Sequence, residues 1–129
     1  MDKSELEKKL NNGQQWGFIK ETDSDEYLGW ILINKFPKFL FTPKREDYSE
    51  EFIYLGAVEE AQKRENTPYH VIIKELRRDV HESGEYETGD DVRQKDNYYF
   101  GTIDEVEKFI EELGYSFDNI KNRSEIDAP

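Results

Sequence analysis

The stretch that decides the fold is QWGFIKETDSDEYLGWILINKFPKFLFT, residues 15–42, which holds both tryptophans and half of the eight phenylalanines. Residues 16–21 show a period of two, which is typical of a strand with one face against a core. Residues 27–33 are apolar almost throughout, which predicts a central strand with both faces covered. The polar residues 22–26 between them predict a hairpin connection, because Asp and Ser side chains cap their own backbone in turns.

A third strand is predicted directly after the second. Asn34 and Lys35 form a short polar break, and the aromatic residues that follow favour another strand over residues 36–42. Pro37 has no amide hydrogen to donate, which places this strand at a sheet edge or starts its pairing at Lys38. The stretch therefore predicts a three-stranded antiparallel meander.

The rest of the chain contains signals for helices and for further strands. Apolar residues at helical spacing, capping residues and a Thr-Pro helix stop mark these segments, and the last helix opens with a capping box. The predicted elements are helices over residues 3–10, 50–65 and 102–113 and strands over residues 69–76 and 98–101.

Together these elements predict one α+β domain over residues 1–129. Its antiparallel sheet consists of the N-terminal meander plus one or two later strands, and it packs against two to three helices. Residues 79–96 are polar and contain two glycines, so we expect an acidic excursion or a protruding hairpin there. We expect residues 121–129 to be a frayed tail.

The charge balance limits the classes of partner. Thirty acidic residues against eighteen basic ones give a net charge of −12, which opposes binding to nucleic acid and to anionic membranes. The expected partner is therefore a basic protein, unless the charge serves only solubility. The chain has no cysteine, its amino terminus lacks an apolar signal segment, and no apolar run approaches the roughly 20 residues of a membrane helix. These features predict a cytoplasmic protein.

No catalytic or cofactor motif is visible. The two histidines, His70 and His81, lie outside any nucleophile–base motif, so we expect a protein that is not an enzyme. A calcium loop starting at Asp23 would need glycine and glutamate where Leu28 and Asn34 stand, and no phosphate-binding glycine loop occurs. We predict no cofactor and no metal. Weak divalent-ion binding by clustered carboxylates keeps a small metal-dependent protein or enzyme as a further alternative.

The densest single-sign stretch lies within the predicted excursion. Residues 81–92 contain five carboxylates and no lysine or arginine, with a tyrosine in the middle. An aromatic anchor flanked by carboxylates is suited to a basic groove. The predicted contact residues are Glu82, Glu85, Tyr86, Glu87, Asp90 and Asp91, with Asp23, Asp25 and Glu26 as second choice.

This profile of size, negative charge, missing cysteine and missing motifs is similar to that of two functional groups of inhibitors. One is the immunity proteins, or antitoxins, of bacterial toxin systems, and the other is the phage-encoded inhibitors that mimic DNA. The likeness implies an acidic protein that neutralises a basic partner. An immunity protein against a nuclease-type toxin is our first expectation, and a DNA mimic that inhibits a host defence or repair protein is the alternative.

Overall fold

The structure is a computed structural model that describes residues 1–36 and 66–129. It has α+β architecture, with one antiparallel sheet of five strands and three α-helices among the described residues. Three short 3-10 turns complete it, at Gly89–Asp91, Phe117–Asn119 and Arg123–Ile126. The helices and strands in chain order are α1 (Lys3–Asn11), β1 (Trp16–Lys20), β2 (Tyr27–Lys35), β3 (Tyr69–Arg77), α2 (Arg78–Ser83), β4 (Val92–Phe100), α3 (Ile103–Glu112) and β5 (Lys121–Asn122).

The predicted meander is confirmed only in its first hairpin. Strands β1 and β2 pair antiparallel, and the sheet order β4-β3-β2-β1-β5 puts β2 in the centre. The other side of β2 is taken by β3, paired from Tyr27 opposite Arg77 to Lys35 opposite Tyr69. The predicted turn at residues 34–35 is therefore wrong, since β3 offers backbone partners along the whole of β2. The predicted third strand, apart from its first residue, and the helix at 50–65 lie outside the described residues.

The main core lies between the sheet and the two longer helices. Helix α1 contributes Leu6 and Leu10, and α3 contributes Val106 and Ile110, all of them fully buried. They cover one face of the sheet, where alternate residues of β1, β2 and β3 point inward. A smaller cluster covers part of the opposite face and consists of Trp30, Leu32, Leu76 and Ile126.

The two longer helices, α1 and α3, begin where their capping residues predict. In α3, the Thr102 hydroxyl accepts a hydrogen bond from the Glu105 amide at 3.2 Å, and the helix runs to Glu112 before Gly114 adopts a left-handed φ of +91°. In α1, the Asp2 carboxylate accepts from the Glu5 amide at 2.8 Å. The predicted helices at 102–113 and 3–10 are confirmed.

The carboxyl-terminal residues are packed, so the prediction of a frayed tail is wrong. Strand β5 pairs with Trp16 and Gly17 of β1. Beyond it the Ile126 side chain is buried, and its carbonyl oxygen accepts a hydrogen bond from Trp30 Nε1 at 2.9 Å. His81 of α2 stands edge-on to the Trp30 ring, with centroids 4.8 Å apart. A buried indole needs an acceptor, and the tail supplies it.

Gly17 lies at a close approach between β1 and β2. A Cβ atom built on Gly17 would lie 2.0 Å from the carbonyl oxygen of Ile31, a backbone atom that cannot rotate away. We expect Gly17→Ala to lower the free energy of unfolding by about 3 kcal/mol or more, measured by urea denaturation. Gly89→Ala is the matched control, because nothing lies within 4 Å of its Cβ position, and it is expected to stay within about 0.5 kcal/mol of wild type. Equal effects would contradict the tight packing at Gly17.

Candidate protein-binding surface

Two acidic segments that are far apart in sequence lie at the same end of the sheet. The loop from β1 to β2 covers residues 21–26, and the connection from β3 to β4 covers residues 78–91. These two segments meet because Tyr27, the first residue of β2, pairs with Arg77, the last residue of β3. We call this region the acidic end and define it by its carboxylates: Glu21, Asp23, Asp25, Glu26, Asp79, Glu82, Glu85, Glu87, Asp90 and Asp91. The first-choice and second-choice contact residues therefore belong to one region.

Arg78 ties the two segments together. Its amide donates to the carbonyl oxygen of Glu26 at 2.8 Å, and its Nε donates to the carbonyl oxygen of Asp25 at 2.7 Å. Its guanidinium also lies 3.5 Å from the Glu82 carboxylate on the next turn of α2. An open cleft of about 500 Å³ remains between the segments. Its lining residues are Glu26, Tyr27, Arg77, Arg78, Asp79, Glu82 and Asp90.

The predicted excursion at 79–96 is shorter than expected. Its first residues belong to α2, which ends at Gly84 with a left-handed φ of +73°, and residues 92–96 belong to β4. The strand predicted at 98–101 is the end of β4, and the polar residues 93–97 gave no sign of its first part, because β4 lies at the edge of the described sheet and carries mostly exposed side chains. Only residues 84–91 remain as a loop that projects from the sheet, and part of that loop is a 3-10 turn.

Four of the predicted contact residues have partners within the chain, and the first of them is Glu82, which pairs with Arg78. Glu87 accepts two hydrogen bonds from Lys74 Nζ, at 2.6 and 2.9 Å. Asp23 lies 2.7 Å from the Arg93 guanidinium. The Asp91 carboxylate accepts from the amide and the hydroxyl of Thr88, at 2.8 and 3.0 Å. These hydrogen bonds from Thr88, with a smaller contribution from nearby Arg77, lower the pKa of Asp91 below its usual value.

The remaining carboxylates point to solvent. The carboxylates of Asp25, Glu26, Glu85 and Asp90 make no ion pair or hydrogen bond with any other described residue, and all four residues are exposed. Tyr86 stands between two of the predicted contact glutamates at the tip of the projecting loop, with 99% of its surface exposed. Exposed carboxylates without internal partners are free to pair with another molecule. They and Tyr86 form the candidate contact.

The basic side chains of this region were not predicted as part of it. Arg77 lies 2.6 Å from Asp79 and 3.9 Å from Asp91, and the hydrogen bond to Asp79 is the main reason that its pKa is raised. The adjacent Arg77 and Arg78 stand just before the acidic stretch, a sequence signal that could have drawn attention to them. No comparable signal marks Lys74 or Arg93, which reach the acidic end only through strand pairing.

Both histidines are engaged in packing contacts. His70 stacks with both Phe36 and Tyr99, which also stack with each other, and its Nε2 lies 2.8 Å from Asn97 Oδ1. His81 Nε2 lies 2.8 Å from the Asp127 carbonyl oxygen. Within residues 1–36 and 66–129, no group of three or more His, Asp or Glu is placed to hold a metal ion.

Comparison with known proteins adds no assignment. The sequence matches no family model, and no curated protein and no solved structure is significantly similar to it. No helix in the described part of the chain has the length and apolar composition needed to cross a membrane.

Proposed function

We propose that this chain is an acidic binding protein that neutralises a basic protein partner, and specifically that it is an immunity protein against a nuclease-type toxin. The observation that carries the proposal is the meeting of two acidic segments at one end of the sheet. Asp25 and Glu26 come from one segment, and Glu85 and Asp90 come from the other. None of these four carboxylates has an internal partner among the described residues, and the fully exposed Tyr86 directly follows Glu85.

The electrostatics suit this role in two ways. The net charge of −12 attracts a basic protein over a distance of about 10 Å at moderate ionic strength, which raises the rate of association. At contact, carboxylates that replace phosphates in a basic groove form ion pairs with arginine and lysine, and pairs that lose their water slow dissociation. Tyr86 supplies the large aromatic surface that often anchors such interfaces.

The test is recovery of the partner from a lysate of the source cell, with the immobilised protein as bait at low salt and at about 0.5 M salt. We expect one basic protein, retained at low salt and weakened at high salt. Its nuclease activity should fall as the acidic protein is added, with an end point at a fixed stoichiometry. A bait in which Asp25, Glu26, Glu85 and Asp90 are replaced by lysine serves as the control and is expected to retain none of it.

Two other results would redirect the proposal. Recovery of a host defence or repair protein would favour the DNA-mimic alternative over the immunity protein. Equal recovery of many basic proteins by the native and the control bait, or recovery of none, would contradict a specific inhibitor and leave the charge as a property of the surface alone.

A further inference from the structure

A buried carboxylate lies just beneath the acidic end. Glu75 of β3 has only 6% of its side chain exposed. It faces the same side of the sheet as the main core, in the row in which Lys20, Gly29, Glu75 and Gln94 stand opposite one another across four strands. An ionised carboxylate at this depth is costly unless cations and hydrogen bonds compensate for the lost water.

Two cations from other strands provide the compensation. Lys20 of β1 reaches across β2, and its Nζ lies 3.4 Å from Glu75 Oε2. This reach is open because Gly29, which stands between them, has no side chain. Arg93 of β4 makes the closer contact, with Nη2 at 2.5 and 3.0 Å from the two oxygens of Glu75.

Arg93 is placed for this contact by a bulge in β4. Glu75 pairs with Gln94 and Leu76 pairs with Val92, so Arg93 is the extra residue between two paired positions. A bulge redirects the side chain of the extra residue. Here the Arg93 guanidinium lies 4.3 Å from the centroid of the Tyr27 ring and 2.7 Å from Asp23 in the β1–β2 loop.

We propose that Arg93 is a positioning residue, which locks the β1–β2 loop to the sheet so that Asp25 and Glu26 are presented to a partner in a fixed arrangement. The inference deepens the proposed function and rests on it. Its physical basis is the planar fork of arginine, which contacts Glu75, Asp23 and the face of Tyr27 at once. Fixing the loop before binding removes the ordering cost that a partner would otherwise have to overcome.

The first readout needs no partner. Amide hydrogen exchange of residues 22–26 is expected to speed up about tenfold in Arg93→Met, while exchange in α3 stays unchanged. Arg93→Met leaves the buried Glu75 carboxylate with one cation fewer, which could by itself disturb folding. The double variant Arg93→Met/Glu75→Gln removes that buried charge as well, so it tests the loop without this effect. Unchanged exchange of residues 22–26 in both variants would overturn the inference.

The second readout separates positioning from charge, with an oligo-arginine peptide as the probe. Arg93→Met makes the surface more negative, so attraction by charge alone predicts tighter binding of the peptide. Positioning predicts the opposite, a loss of about tenfold in affinity. Lys121→Met, in which an exposed lysine of β5 is removed, makes the same change in net charge elsewhere and is expected to bind no more weakly than wild type.

A conservative variant completes the design. Arg93→Lys keeps the charge, but a single ammonium cannot hold Glu75, Asp23 and the Tyr27 ring together, so it is expected to behave like Arg93→Met. Full retention of wild-type affinity in both Arg93 variants would overturn the positioning role. That outcome would leave the proposed function standing, since loss of binding on charge reversal at the loops tests that function separately.

Discussion

Replacing Asp25, Glu26, Glu85 and Asp90 together by lysine is expected to abolish binding of the basic partner and to change the melting temperature little. Coupling energies for close charge pairs at protein interfaces start at about 1.5 kcal/mol, so the loss of four pairs corresponds to a loss in affinity of about 10⁴-fold. Folding is spared because none of the four carboxylates has an internal partner among the described residues. Titration calorimetry measures the affinity, and circular dichroism measures the melting temperature.

The control for this variant carries the same change in net charge at another place. Glu111, Glu112, Asp118 and Glu125 are exposed and lie outside the acidic end, and their carboxylates make no ion pair or hydrogen bond with another described residue. Their joint replacement by lysine is expected to reduce the association rate modestly and to preserve the complex. An equal loss of affinity in both variants would show that total charge, and not the acidic end, determines binding.

A large effect on stability is also expected from changes to the carboxyl-terminal tail. Ile126→Ala removes a buried side chain from the cluster around Trp30 and is expected to lower the free energy of unfolding by about 2–4 kcal/mol. Deleting residues 121–129 is expected to cost more, because it also leaves Trp30 Nε1 without its acceptor. Urea denaturation followed by tryptophan fluorescence measures both changes.

Glu125→Ala is the matched control for the tail, since this neighbouring side chain is exposed and unpaired among the described residues. It is expected to change the free energy of unfolding by no more than about 0.5 kcal/mol. If Ile126→Ala were as mild as Glu125→Ala, the packing of the tail against Trp30 would be refuted.

The parts of the fold that the sequence predicts are those with local signals. The β1–β2 hairpin follows from alternation and a polar turn, and α3 follows from the cap at Thr102 and regular apolar spacing. The first part of strand β4 lacks such a signal, since residues 93–97 are all polar and belong to the strand through backbone pairing with β3. Ile126 is also hard to predict, because one isolated apolar residue among polar ones shows no period.

The candidate site was predictable in composition and not in arrangement. The acidic stretch around Tyr86 stands out in the sequence, whereas its proximity to residues 21–26 depends on strand order. The sequence also does not distinguish carboxylates that are free to bind another molecule from those that pair with a basic side chain of the same chain. That distinction depends on Lys74 and Arg93, which contact Glu87 and Asp23 through the sheet.

The two-residue strand β5 has a consequence for self-association. It pairs with Trp16 and Gly17 only, and Ile19, further along the same strand, is 61% exposed. If the tail detached, all of β1 would be an open edge among the described residues, with unpaired amide and carbonyl groups next to an apolar side chain. Open edges of this kind recruit strands from other molecules. After proteolytic removal of the tail, the protein is therefore expected to aggregate at concentrations at which the intact chain stays monodisperse.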